Sequence, residues 1–376
     1  MKQKWSIFRN VYHYVEDISV TGALYTWSNK QEPNARVYSR LDRAMGNQEW
    51  LDEFGDYMAH FHPEGLFDHC SCTVVNRKAE FDGRRSFKYF NMWSVAGSFK
   101  AQVESIWKQK YKGTKMFSIV NKLKALKPVL KKLNTTCFSD IENNTTIASK
   151  VLEEIQEKLV HNPRDIDLIQ QELDLSVELK GLIRAMDSFL TQKAKLQWSL
   201  EGDLNTSYFH RAIKNRIMSN KVFQIEDKQG VLCTEGTTIQ SAFLDYYQHL
   251  LGTHTPTDPV NFDVVRRGPC CSEDHWSILA KPITSAEVKA CLFSIPSCKS
   301  PSPDGYNSQF YKDSWDVVAE EVCAAIINFF DSGQLLTQVN ATVITLIPKI
   351  DRPTNVVHYR PISCCIVLYK VISKLL

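Results

Sequence analysis

Val343 and Ile347, with Ala341 and Thr345 on the same face, repeat with a period of two, which predicts a strand. Pro348 ends it, because proline has no N–H for a ladder bond. A polar loop then leads to Arg360-Pro361-Ile362, and an apolar tail follows. Short strands are also predicted around Leu24 and Thr26, with Tyr25 and Trp27, and over Val37 to Leu41. Asn47 is placed to cap a short helix carrying Trp50, Leu51 and Phe54.

Between these ends the spacing is helical. Phe99, Val103, Ile106, Trp107 and Tyr111 mark one helix. Leu123, Leu126, Leu130 and Leu133 mark a second, expected to bend or restart at Pro128. Val151, Leu152, Ile155 and Leu159 form a stripe that Asn162-Pro163 interrupts, with Pro163 expected as the first residue of the next helix. Ile166 to Leu190 continues an apolar face, so the pair reads as a helical hairpin. Val222 to Leu232 reads as a small hairpin around Asp227-Lys228-Gln229-Gly230, followed by a helix from Ile239 to Leu250. Residues 252–276, rich in Thr, Pro, Gly and Cys, read as a linker. Thr284 and Glu287 form a capping box, and the stripe from Trp315 to Phe329 gives a longer helix closed by Gly333. The expected class is α+β, in four stretches: 1–75, 76–201, 202–276 and 277–376.

Charge changes this picture more than composition does. The net formal charge is only +3 over 376 residues. From Arg77 to Leu133, however, there are 15 Lys plus Arg against 3 Asp plus Glu, and from Ser139 to Asp203 there are 7 against 13. The first block is a candidate face for DNA or RNA, and the second an acidic helical arm. The aromatics Phe87, Phe90 and Trp93 within the basic block read as core anchors. Eleven cysteines, an odd number with no secretory signal, point to free thiols in an intracellular chain, nuclear or cytoplasmic. Cys70, Cys72, Cys270, Cys271, Cys364 and Cys365 do not make two CxxC halves, so no zinc site is expected. No stretch reaches 18 uncharged apolar residues, so no membrane span is expected.

Three acid–base residues carry candidate chemistry near the amino terminus. Asp42 could fix the tautomer of His69, His69 could take a proton from water, and Asp68 could hold Mg²⁺. A surface Asp–His pair with no task fits the same residues. At the other end, Lys349 and Arg360 could bracket a polyphosphate, or stand as a turn lysine and a salt-bridged arginine. Asp203, Asn205 and His210 read as turn and capping residues.

The motifs extend this reading. LIPK, YRPIS and LYKVISK, preceded by KSPSPDG, QFYK and Trp315, resemble the finger region of the reverse transcriptase of LINE-type (non-LTR) retrotransposons, as abundant in plant genomes. YTWSN, YSRLDRAMGNQEW and DHC look like the carboxy-terminal third of the endonuclease of the same elements, a four-layered α/β sandwich. Asn91-Met92-Trp93 and the run from Trp198 to Arg211 are similar to the connecting region. The resemblance implies that Lys349 and Arg360 meet the triphosphate of a deoxynucleotide. It implies that Asp42 orients His69 as the base, and that Asp68 sits at the family's Mg²⁺. Phe67, Ser71 and Ser302 depart from the family pattern, which usually has Ser, Pro and Gly there. Nothing before Tyr25 matches the family's upstream Glu ligand or its GDFN-like loop, and no palm aspartates follow Arg360. The expectation is a catalytically inactive fragment, with a residual nucleic-acid-binding module or a weak Mg²⁺-dependent endonuclease as alternatives.

Overall fold

The computed structural model of the chain describes residues 15–18, 20–54, 57–76, 86–194, 213, 216, 220–254, 256–297, 301–350 and 353–376. The motif from Trp198 to Arg211, the start of the KSPSPDG run at Lys299 and the basic residues 77–85 lie outside them.

Helices and small sheets mix, which makes the class α+β. In chain order come β1 (Val15–Asp17), β2 (Val20–Gly22), β3 (Trp27–Ser28), β4 (Tyr38–Ser39), β5 (Met45–Asn47), α1 (Gln48–Glu53), β6 (Tyr57–Phe61) and β7 (Cys72–Asn76). A 3₁₀ turn (Asn91–Val95) opens the helical part, followed by α2 (Phe99–Trp107), α3 (Lys115–Cys137), α4 (Ile141–His161) and α5 (Ile166–Ala194). The hairpin β8 (Ile225–Glu226) and β9 (Leu232–Cys233) precedes α6 (Gly236–Gly252), α7 (Phe262–Arg266), α8 (Glu273–Leu279) and α9 (Ser285–Phe293). The chain continues through α10 (Ser308–Asp313), α11 (Trp315–Ser332), α12 (Thr337–Asn340), β10 (Thr342–Pro348), β11 (Tyr359–Cys365) and α13 (Val367–Leu375).

Two compact units share this chain. The first takes Met1–Arg84, Asn205–Thr253 and Leu346–Arg360. In it, β6 pairs parallel with β2 and antiparallel with β7. Ala59, Phe61 and Cys70 are its buried centre. Gly22 is fixed here: its φ is +88°, and a Cβ there would collide with the Phe61 carbonyl oxygen. A second core gathers Ile225, Ile239, Phe243, Tyr247, Val356 and Tyr359, and the Tyr247 hydroxyl donates to the Tyr359 carbonyl at 3.0 Å.

The second unit takes Arg85–Leu204, His254–Thr345 and Pro361–Leu376. Its centre is aromatic: Tyr89, Trp93, Phe99, Tyr306 and Phe310 are all buried, with the Tyr306 and Phe310 ring centroids 4.6 Å apart. Leu123, Leu126, Leu130 and Leu133 are buried along α3, which runs unbroken through Pro128. The expected restart does not occur, because four buried leucines hold both sides of the proline while it forfeits one backbone bond. The α4–α5 hairpin forms as expected. Pro163 sits in the turn rather than at the first helical position, and the Asp165 carboxylate caps α5 by accepting from the Asp167 and Leu168 N–H groups. The linker expected at 252–276 contains α7 and part of α8, and the Asn261 side chain caps α7 by accepting from Asp263 and Val264. The Thr284–Glu287 capping box and the left-handed Gly333 at the end of α11 are both present.

The Pro-Asp-Gly turn at 303–305 packs into this aromatic centre. The Tyr89 N–H donates to the Gly305 carbonyl at 2.8 Å. Gly305 has φ +87°, and a Cβ there would strike the Phe87 carbonyl oxygen. Asp304 accepts the Tyr306 N–H at 3.1 Å through one oxygen, while its other oxygen is buried without a partner. Burial pushes the Asp304 pKa up to about 6, against the opposing pull of the Tyr306 N–H and of Lys127 and Lys370. A folded pKa above the unfolded value of 3.8 means that the folded state holds the proton more tightly, so the native state loses stability as pH rises from about 4 to about 6. Asp304→Asn removes that ionisation. Its advantage over wild type in chemical unfolding should grow across that window to on the order of 2 kcal/mol. A difference that stays constant from pH 4 to pH 7 would contradict the assignment.

Candidate functional site

Thr26 is completely buried in the first unit and organises the segment around Asp42 and His69. Its backbone N–H donates to the Ser39 carbonyl at 3.1 Å, and its carbonyl accepts the Cys70 N–H at 2.8 Å. The side-chain oxygen accepts the N–H of Leu41 at 3.1 Å and of Asp42 at 2.8 Å. That is why β4 stops at Ser39 instead of running to Leu41: the next backbone donors turn to a side chain rather than to a ladder. Trp27 and His69 form an antiparallel bridge, and the Ser28 N–H donates to the Asp68 carbonyl at 2.9 Å. One residue therefore ties the strand 26–28 to the segment 68–70 on one side and to residues 39–42 on the other.

The outcome is a hydrogen bond of 2.8 Å between His69 Nδ1 and Asp42 Oδ2, across 27 positions of sequence. The side chains are 46% and 38% exposed, so the pair is open to solvent. With Nδ1–H donating to the carboxylate, Nε2 keeps its lone pair outward; this tautomer follows from the hydrogen-bond partner. Burial opposes the Asp42 charge, but the hydrogen bonds from His69 and Thr26 outweigh it and hold the carboxyl below the usual range. The hydrogen bond to Asp42 raises the His69 pKa, with the nearby Asp42 and Asp68 charges adding to it.

Asp68 faces a different partner. Its Oδ2 accepts the Trp27 indole N–H at 3.3 Å, and its side chain is exposed. Among the described residues no three or more His, Cys, Asp or Glu side chains converge as a metal centre. Asp68 offers a single exposed carboxylate beside the His69–Asp42 pair.

Lys349 and Arg360 stand at one end of the β10–β11 ribbon. The Lys349 N–H pairs with the His358 carbonyl at 2.7 Å, and its ammonium donates to the Val357 carbonyl at 2.7 Å. Arg360 lies two residues beyond His358 in β11 and is exposed. The ribbon's packed residue is Leu346, which rests on the Tyr359 core, so the face carrying Val343 and Ile347 is the outer one. The contribution of Thr26 and Trp27, within YTWSN, comes from contacts distant in sequence and has no local signal.

No protein-family model matches the chain. It is similar to the transposon TX1 uncharacterized 149 kDa protein of Xenopus laevis, with 23% identity over 186 residues. That match covers 48% of this chain and 14% of the relative's length. Together with the motifs, this likeness supports a retrotransposon-derived protein. Among the described residues no helix is long and apolar enough to cross a membrane.

The raised pKa of His69 has a defined pH signature. The hydrogen bond to Asp42 favours the imidazolium, so its contribution is full below the unfolded histidine pKa and is lost as pH rises through the folded one. In an NMR titration His69 should ionise above the ordinary imidazole value, and Asp42→Asn should return it toward about 6.5. Identical titration in both proteins would show that the carboxylate does not hold the ring.

Proposed function

We propose that this chain is part of a LINE-type (non-LTR) retrotransposon protein, of the plant kind that its motifs resemble. In this reading residues 15–76 supply the histidine–carboxylate half of an endonuclease centre. The connecting helices bind DNA or RNA, and residues 277–376 belong to the finger region of an RNA-directed DNA polymerase. The observation that carries the reading is the 2.8 Å bond from His69 to Asp42, because the residues that build it are those of the YTWSN, SRLD and DHC motifs. The likeness to a transposon protein supports it independently.

The chemistry follows from the tautomer. His69 Nε2 takes a proton from water, and Asp42 stabilises the imidazolium that forms. Asp68 would be one of the carboxylates that hold the family's Mg²⁺. At the other end, Lys349 offers a point charge and Arg360 a planar fork, which suit the triphosphate of a deoxynucleotide.

With only one metal-side carboxylate among the described residues, the pair acts as half a site. Incubated with supercoiled plasmid and Mg²⁺, the chain should nick no faster than its His69→Ala variant. Nicking that this substitution lowers by about 10²-fold or more would replace the half-site with a complete endonuclease. Filter binding to DNA or RNA should weaken steeply with salt. No binding at low salt would reject the nucleic-acid reading.

A further inference from the structure

Lys124, Lys127 and Lys131 occupy positions i, i+3 and i+7 of α3 and so share one face. Lys124 and Lys131 are exposed and Lys127 is half-buried. At 1.5 Å of rise per residue the three span about 10 Å of helix axis.

Two other lysines of the same unit are neutralised by carboxylates. Lys100 pairs with Asp316 at 2.8 Å, and the buried Lys122 pairs with Glu321 at 2.5 Å. What sets the stripe apart is its alignment on one helix face. Lys124 donates to a neutral acceptor, Gln338 Oε1, at 3.3 Å, and the Lys127 ammonium lies 5.4 Å from the Phe87 ring centroid. None of the three forms an ion pair with a described residue. Burial lowers the Lys127 pKa; the charge of Asp304 opposes this, and the smaller repulsions from Lys124 and Lys131 add to it. The fold thus holds three mutually repelling cations in a line without giving them a paired carboxylate.

We propose that Lys124, Lys127 and Lys131 form a binding line for the phosphodiester backbone of one nucleic-acid strand. One strand of a B-form duplex presents a phosphate about every 3.4 Å along its axis, so a line of about 10 Å meets about three phosphates. Bound phosphates add countercharge to a line in which Lys127 feels Asp304 at longer range but Lys124 and Lys131 form no ion pair with a described residue. Contacts of this kind carry no sequence information, so the site is indifferent to base order. This inference deepens the nucleic-acid reading above and rests on it.

The test is the salt dependence of binding by the full chain to duplex DNA and to single-stranded RNA of mixed sequence. In the triple variant Lys124→Gln, Lys127→Gln, Lys131→Gln, the slope of log K against log salt should shrink by about 2.7 on duplex and about 2.1 on single strands. A control losing the same charge from the acidic hairpin, Lys150→Gln, Lys158→Gln, Lys180→Gln, should keep the wild-type slope. An unchanged slope in the triple variant, or an equal fall in the control, overturns the stripe while leaving the nucleic-acid reading standing. Absence of any salt-sensitive binding by wild type overturns that reading itself. Stripe-dependent binding to anionic lipid vesicles that matches nucleic acid in strength overturns the choice of ligand. Should the triple variant melt early, the exposed single variants Lys124→Gln and Lys131→Gln should each remove about 0.9 from the duplex slope; no change in either contradicts the proposal.

Discussion

The first unit depends on one buried hydroxyl. Thr26 Oγ1 takes two consecutive backbone N–H groups, from Leu41 and Asp42, that have left the β3–β4 ladder. Leaving a buried donor unpaired costs about 1–3 kcal/mol, so this oxygen fixes the exit path of the chain after Ser39. The same residue's carbonyl fixes Cys70. His69 precedes Cys70 directly, so both ends of the His69–Asp42 bond are positioned by one side chain and its own peptide group. The His69–Asp42 pair is exposed, but its support is buried, which lets a solvent-facing histidine keep a defined geometry.

In the second unit, packing determines which charges are satisfied. The aromatic centre draws in the Pro-Asp-Gly turn so closely that only glycine fits at position 305. That closeness buries Asp304 beneath Lys127 and leaves one carboxylate oxygen without a hydrogen bond. Ser302, where the resembled family has glycine, adds a buried hydroxyl with no partner. The lysines of α3 divide in the same way: Lys122 is buried and ion-paired, while Lys124 and Lys131 are exposed and form no ion pair with a described residue.

Much of this was legible in the sequence where local signals act alone. The Asn47 cap, the Thr284–Glu287 box, the Asp227–Gly230 turn and the Gly333 cap are set by a few neighbouring residues, and each forms. Positions decided by tertiary packing were less legible. Pro128 stays inside α3 because buried leucines on both sides override its local effect. The ribbon β10–β11 forms where the alternation placed it, yet it packs through Leu346 on the opposite face from the alternating apolar residues. Asp42 and His69 were picked out as partners from their chemistry and motif. The role of Thr26 could not be read from spacing, because it depends on three segments meeting around one hydroxyl.

The most direct measurement is amide hydrogen exchange at Leu41 and Asp42, read alongside the His69 titration, in Thr26→Val and Thr26→Ser. Valine keeps the shape and removes the acceptor, so both amides should exchange faster and His69 should ionise nearer the ordinary imidazole value. Serine restores the oxygen and should return both readings toward wild type. Unchanged exchange and an unchanged histidine titration in Thr26→Val would contradict the account.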